Sequence, residues 1–319
     1  MTKLMTKKAF SVSLALPIVA VSLLLARGAV HTAIADDGCV GVDIPSGASI
    51  ARAAESHPAG TTFCLSGRYQ LASSVSPREA QSFRGPAEIV GVNGNDTGFH
   101  VTSKNVHFFD LDMSGFEERA IRCMYGTKIF GGRYHHNGVN AIGCGLGRST
   151  GGGVVIGGIE ADHNGSAAMI GHSSAAIKLA GSPGSVVRSS YVHDNVGNGI
   201  WFDVDSGSDV HDIVARNQVV GNSMRGIFYE VSRGEVIIRR NTVTGNNTSN
   251  TPGASGIGVS SSKNVTIWGN VVQDNSVWAI RANEIDRGYR LENVQIYDNV
   301  VDGALYGCEY VGVDCVGAE

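Results

Sequence analysis

Val265-Thr266-Ile267-Trp268-Gly269-Asn270-Val271-Val272-Gln273-Asp274-Asn275 sets out the pattern that decides the fold: apolar-x-apolar-x-x-Asn-x-Val-x-x-Asn. Val236 to Asn246 repeats it with Ile238, Asn241 and Val243 in place, and Val294, Ile296, Asn299 and Val301 begin another copy. Earlier copies are weaker: Ile129 with Tyr134 and Asn137, Ile156 with Ala161 and Asn164, Val187 with Val192 and Asn195. The closing asparagines stand at 137, 164, 195, 222, 246 and 275, so the spacings are 27, 31, 27, 24 and 29. Short alternating runs, polar corners and a unit of this length predict a parallel β-helix, one coil per unit, with coils roughly 4.8 Å apart. Asparagine suits the corners because it tolerates left-handed backbone angles and its amide can bond the same residue in the next coil. A flat β-sandwich would not need a unit of this length.

Upstream, one sentence is written twice, 27 residues apart: Gly199-Ile200-Trp201-Phe202-Asp203-Val204-Asp205 and Gly226-Ile227-Phe228-Tyr229-Glu230-Val231-Ser232. Alternate strand residues face opposite sides. With Ile200, Phe202 and Val204 inward, Trp201, Asp203 and Asp205 face out, and Phe228, Glu230 and Ser232 lie beside them. Ala176-Ile177-Lys178 puts Lys178 in the column of Trp201 and Phe228; Gly256-Ile257-Gly258-Val259-Ser260 and Ala279-Ile280-Arg281-Ala282-Asn283 continue both columns. The expected outer face is a groove with exposed aromatics beside a central charge.

The ends frame the solenoid. Lys3, Lys7 and Lys8 precede an apolar run and a small-residue site ending at Ala35, the layout of a secretory signal peptide over 1–35. Without it, 21 basic and 29 acidic side chains remain, a charge of −8 that argues against nucleic acid as partner. The mature protein is expected outside the cytoplasm, free of the membrane and monomeric. Residues 36–86 read as an N-terminal cap with a short helix from Ala48 to Ser56, and 87–319 as the β-helix and its C-terminal cap. An even count of six cysteines in an exported chain reads as disulfides. Local pairing joins Cys39 to Cys64, Cys123 to Cys144 and Cys308 to Cys315, one of fifteen connectivities.

Tyr191-Val192-His193-Asp194-Asn195, Gly199-Ile200-Trp201-x-Asp203, Gly226-Ile227-Phe228-x-Glu230-Val231-Ser232 and the opening Pro58-Ala59-Gly60-Thr61-Thr62-Phe63 resemble bacterial secreted β-helix repeat proteins. The chain is thereby similar, over about residues 40–305, to the right-handed parallel β-helix, or pectate-lyase-like, superfamily. The resemblance implies an all-β, right-handed solenoid of about nine coils. It implies less about the reaction, because the superfamily holds lyases, glycosidases, epimerases, esterases and adhesins.

Two chemistries fit the expected face, both on a polysaccharide. In β-elimination from a uronic-acid polymer, Asp203, Asp205 and Glu230 hold a calcium ion. Lys178, roughly 8 Å away by strand geometry, is the base, an assignment the resemblance favours because β-helix lyases generally pair a Lys or Arg base with acidic calcium ligands. Arg225 and Arg281 bind the polymer's carboxylates. In glycoside hydrolysis, Asp203 and Glu230, about 5 Å apart, act as acid and base or nucleophile, with His193 assisting. Trp201 and Phe228 stack on sugar in either scheme, and no organic cofactor is needed. A glycan-binding or adhesion module without catalysis is the third reading.

Overall fold

The computed structural model describes residues 38–145, 152–205 and 211–316. The residues read as a signal peptide lie outside that range. From Cys39 onward the chain winds as stacked coils with all strand pairings parallel, and the architecture is the right-handed parallel β-helix expected from the repeat. Two ladders merge into one sheet of twenty strands, because Ser82–Gly91 and His107–Ser114 each run through both; a second sheet has nine strands.

Each inward column is nearly pure hydrocarbon. In the nine-stranded sheet Ile121, Ile142, Ile177, Ile200, Ile227, Ile257 and Ile280 stack in register and are all buried. Burying one such side chain contributes about 1.5–3 kcal/mol, so the column alone outweighs any single surface contact. Toward the N-terminus the filling becomes aromatic: Phe63, Phe83 and Phe108 stack at 5.2 and 5.6 Å between ring centres. Cys123 and Cys144 are register partners in this core and form a disulfide, as do Cys39 with Cys64 and Cys308 with Cys315.

The helix covering the first coil runs Ile50–Ser56, capped by the Ser49 side chain accepting from the Arg52 N–H. Ile50 and Ala54 are its buried face. Strand pairing already begins at Val42–Ile44, within the stretch read as cap.

Two corners are held by amide columns. At one, Asn137, Asn164, Asn195, Asn222, Asn246 and Asn275 form a ladder; at the other stand Asn217, Asn241, Asn270 and Asn299. After the first of each column, every carboxamide oxygen accepts both the backbone N–H and the side-chain N–H of the asparagine one coil earlier, as Asn222 does from Asn195 at 3.2 and 2.8 Å. The corner backbone groups are thus satisfied without water, as burial demands.

Replacing Asn222 by Ala removes the acceptor for Asn195 and the donor to the Val192 carbonyl and to Asn246. Stranding these buried groups is expected to cost on the order of 3 kcal/mol, read as a lowered midpoint in guanidinium unfolding; an unchanged midpoint would show that the column does not hold the corner.

Candidate functional site

The nine-stranded sheet has the register that the two copied sentences require. Trp201 pairs with Phe228 and Asp203 with Glu230, Lys178 lies one coil before Trp201, and Gly258 with Ser260, then Arg281 with Asn283, follow. Asp203 and Glu230 are therefore neighbours on one outward face.

That face is covered, not open. Trp201 and Phe228 are only 3 % and 4 % exposed. Cations lie on both rings: Lys178 Nζ is 3.3 Å from the Trp201 ring centre and Arg225 Cζ 4.0 Å from that of Phe228. A desolvated cation over an aromatic face is worth about 2 kcal/mol or more. The expected open platform for sugar stacking is thus already occupied by the protein's own side chains. Loops entering the sheet, absent from any strand count, supply the anchors. The His172 carbonyl accepts from Lys178 Nζ at 3.0 Å, and the Gly253 carbonyl accepts from Arg225 and Arg281 at 3.1 and 2.8 Å. Gly258 makes room for this arrangement, since a Cβ there would stand 2.8 Å from Arg225 Cδ.

What remains is a pocket of about 220 Å³ walled by Trp201, Arg225, Phe228, Glu230, Arg281 and Asn283, with Gly171 and Ile285 at its rim. The Trp201 indole N–H has no hydrogen-bond partner there. Glu230 is the pocket's carboxyl. Burial, then the charge of Asp203, raises its pKa, while Arg225, Lys178 and Arg287 pull it down. Burial lowers the pKa of Lys178, with Asp203 and Glu230 opposing. It also lowers that of Arg225 to about 10, which leaves the guanidinium charged at neutral pH.

Lys178 reaches diagonally across the coil to Asp203, Nζ to Oδ2 3.1 Å, rather than standing apart from it as strand spacing suggested. With its ammonium bound by a carboxylate, a carbonyl and a ring, Lys178 is a positioning group, and neither it nor Asp203 lines the pocket.

Two expected members lie elsewhere. Asp205 does not face out with Asp203. Val204 takes a left-handed backbone (φ 49°), which breaks the alternation, so Val204 is 44 % exposed and Asp205 2 %. Val231 and Ser261 turn the same way in the next coils, and the Asp205 and Ser232 N–H groups donate to the Ser232 and Ser262 hydroxyls at 3.0 Å. Asp205 thus belongs to a third corner column, in contact with the buried Asp212. Burial, then the charge and hydrogen bond of Asp205, pushes the Asp212 pKa up to about 9. The three carboxylates drafted for calcium do not converge, and the cation beside Asp203 is Lys178.

His193 sits on the other sheet, in Tyr191–His193, with Nδ1 2.8 Å from Asp194 and Nε2 3.3 Å from Glu160. It belongs to a ridge with His135, His136 and His163, which the sequence reading did not bring together. On that ridge His136 has a lowered pKa, from burial first and then from His135 and His163.

The described residues thus form a parallel β-helix with a charge-lined pocket on its nine-stranded sheet. The family described as periplasmic copper-binding protein (NosD) matches residues 137–310, and the chain belongs to it. No curated protein matches. Among solved structures, pectate lyase Pel9A is similar over 88 % of this chain and 80 % of its own, at 13 % identity and TM-score 0.57. The A-module of mannuronan C-5 epimerase AlgE6 from Azotobacter vinelandii is similar over 82 % of each chain, at 16 % identity and TM-score 0.50. At such identity these likenesses concern the fold.

Glu230 offers a check on the pocket's electrostatics. Its folded pKa lies above the ordinary value, so ionising it in the folded state costs stability as pH rises through the carboxylate range. Glu230→Gln is therefore expected to raise the melting temperature relative to wild type more at pH 7.5 than at pH 4. A difference that is flat or reversed with pH would contradict the desolvation described.

Proposed function

We propose that the pocket binds one uronate residue of an anionic polysaccharide and removes the proton next to its carboxylate, leading to β-elimination. The observation that carries this reading is a desolvated carboxyl with raised pKa, Glu230, facing two guanidinium groups, Arg225 and Arg281, that share one carbonyl anchor. Arg225 and Arg281 take the sugar carboxylate and stabilise the charge that spreads onto it as the neighbouring C–H ionises. The Glu230 carboxylate accepts the C5 proton. The C5–H pair forms the C4=C5 double bond, the C4–O4 bond breaks, and the same carboxyl returns its proton to the departing oxygen on the same face. Lys178 neutralises Asp203, which would otherwise oppose ionisation of Glu230. A pocket smaller than the ~300 Å³ at which drug-sized sites begin takes a single sugar unit. The likeness to the folds of a pectate lyase and a mannuronan C-5 epimerase supports this class of substrate, since both are named for uronate polymers. The three disulfides suit an exported protein meeting such a polymer. Hydrolysis by an Asp203–Glu230 pair is disfavoured because Asp203 is ion-paired to Lys178 behind the pocket wall.

A second reading, metal binding, is favoured by the histidine ridge and by copper in the family's description. The residues that would hold copper are His135 and His136, whose Nδ1 atoms are 2.8 Å apart. Bound there, copper would supply a Lewis-acidic or one-electron centre away from the pocket.

Purified protein offered pectate, alginate and glycosaminoglycans is expected to give unsaturated ends that absorb in the near ultraviolet. Glu230→Gln should lower the rate about 10²–10⁴-fold, and Arg281→Ala should mainly raise KM. Chelator should leave the rate unchanged, because no calcium triad assembles. Absence of unsaturated product from every uronate polymer, with reducing ends or retention alone observed, would sink the lyase reading.

A further inference from the structure

The nine-stranded sheet holds the pocket, but the outer face of the twenty-stranded sheet carries an unbroken column of its own. Arg84, Phe109 and Phe130 stand in register there, and Gly157, Arg188 and Ala215 continue the line. Arg239, Trp268 and Tyr297 extend it. Phe109 and Phe130 stack with ring centres 6.0 Å apart, and Trp268 and Tyr297 lie parallel at 6.5 Å. All four rings are half-buried, so part of each stays open to solvent. Guanidinium groups sit against both pairs. Arg84 Cζ is 4.0 Å from the Phe109 ring centre, Arg188 Cζ 5.7 Å from that of Phe130, and Arg240 Cζ 5.1 Å from that of Trp268. Gly157 lets Arg188 lean back onto Phe130, since a Cβ there would stand 3.2 Å from the ring and 3.5 Å from Arg188 Cγ.

Between the aromatic pairs the charge has one sign. Ala215 pairs with Arg239, so Arg216 stands beside Arg240 one coil away, and the Arg216 N–H donates to the Arg239 carbonyl at 3.2 Å. Arg188, Arg216 and Arg240 are exposed and Arg239 is half-buried. Neighbouring coils lie roughly 4.8 Å apart, and like charges opposite one another across a ladder are destabilising. Elsewhere arginine is neutralised: Arg68, Arg119, Arg133 and Arg290 each have a carboxylate at 2.7–3.2 Å. Among the described residues no ion pair reaches these four arginines. The flanking columns bring no acid either, with Val186, Ile213 and Ile237 on one side and Tyr191, Gln218 and Thr242 on the other. The acids of this corner, Asp110 and Asp298, follow Phe109 and Tyr297 toward its two ends.

We infer that this stripe binds an anionic glycan laid along the solenoid, with sugar faces on the aromatic pairs and carboxylate or sulfate groups on Arg188, Arg216, Arg239 and Arg240. Uncompensated guanidiniums in three consecutive coils oppose folding and are complementary to a polymer that carries repeated negative charge. They do so in a chain whose 21 basic and 29 acidic side chains outside residues 1–35 leave a charge of −8. That excess repels a polymer as densely charged as nucleic acid, with one charge per ~1.7 Å of duplex. Charges spaced by sugar rings instead meet cation and aromatic in turn. A lipid surface fits less well, because a flat sheet face with half-buried rings has no apolar edge to insert. The stripe and the pocket lie on different sheets. This holding surface therefore does not rest on the lyase reading and acts whether or not the pocket is catalytic.

The test is electrophoresis of the native protein through gels that contain alginate, chondroitin sulfate or a neutral glucan, each compared with a gel lacking polymer. Wild type is expected to be slowed by an acidic polymer, less so as salt rises, and to pass the neutral glucan unhindered. Retardation by either acidic polymer supports the site, and the stronger of the two names the acidic group. Arg188→Gln, Arg216→Asn and Arg240→Asn combined should weaken binding about tenfold or more while melting like wild type. Asparagine is chosen at 216 and 240 because both positions are left-handed. Arg52→Gln, Arg68→Gln and Lys104→Gln combined, the same change of charge elsewhere, should leave retardation nearly unchanged. Glu230→Gln should be retained like wild type even where it abolishes elimination, which separates failure of the stripe from failure of the pocket. The inference is overturned by any of four results: no retardation in either acidic polymer, equal loss in both triple variants, loss in Glu230→Gln but not in the arginine variant, or tighter binding of single-stranded DNA or anionic vesicles.

Discussion

Register between coils is the constraint on which everything else in this molecule depends. A parallel ladder with identical inward columns could slide by a coil at little cost in hydrocarbon contact, because isoleucine stacks on isoleucine whichever coil it comes from. The buried carboxamides remove that freedom. Asn164, for example, must meet the amide and N–H of Asn137 below and the oxygen of Asn195 above. A shifted coil strands several polar groups at once, each at a cost of about 1–3 kcal/mol. The solenoid is cohesive through its apolar columns and specific through its amides.

Fixed register makes the outer surface a set of columns in which sequence position and spatial position are the same thing. This is why the partnership of Asp203 with Glu230, and of Trp201 with Phe228, could be read from a 27-residue offset. The repeat carries that information directly, since period-two alternation and the coil length together fix both face and neighbour. The disulfides follow from the same logic: Cys123 and Cys144 share a pattern and therefore a column.

What the repeat does not encode is equally physical. Asp205 continues the alternation on paper, yet one left-handed residue, Val204, reverses it, and nothing about valine announces such a turn. A serine or aspartate recurring just past the strand, as at 205, 232 and 262, was the available signal that these are corner residues like the asparagines. The cations over Trp201 and Phe228 are anchored by carbonyls of His172 and Gly253, in loops without periodicity. The same loops turn an open aromatic face into a charge-lined pocket, so the residues were legible and their roles were not. Lys178 shows the difference most clearly: its column was correct, but its length let it reach Asp203, which converts a candidate base into a fixed counter-charge.

The pocket and the histidine ridge are two uses of one geometric device. In each, a column sets titratable groups about one coil apart, close enough to shift one another and too close to remain all charged. Where burial is deep, the molecule resolves the conflict with internal cations: Lys178 for Asp203, Arg133 for Asp162. Each such pair silences a carboxylate and leaves its neighbour as the group with unmet capacity. In the pocket that neighbour is Glu230. Arginine and lysine therefore decide which acids and bases remain available to a ligand, and a repeat whose columns look alike acquires distinct sites wherever such a cation is inserted.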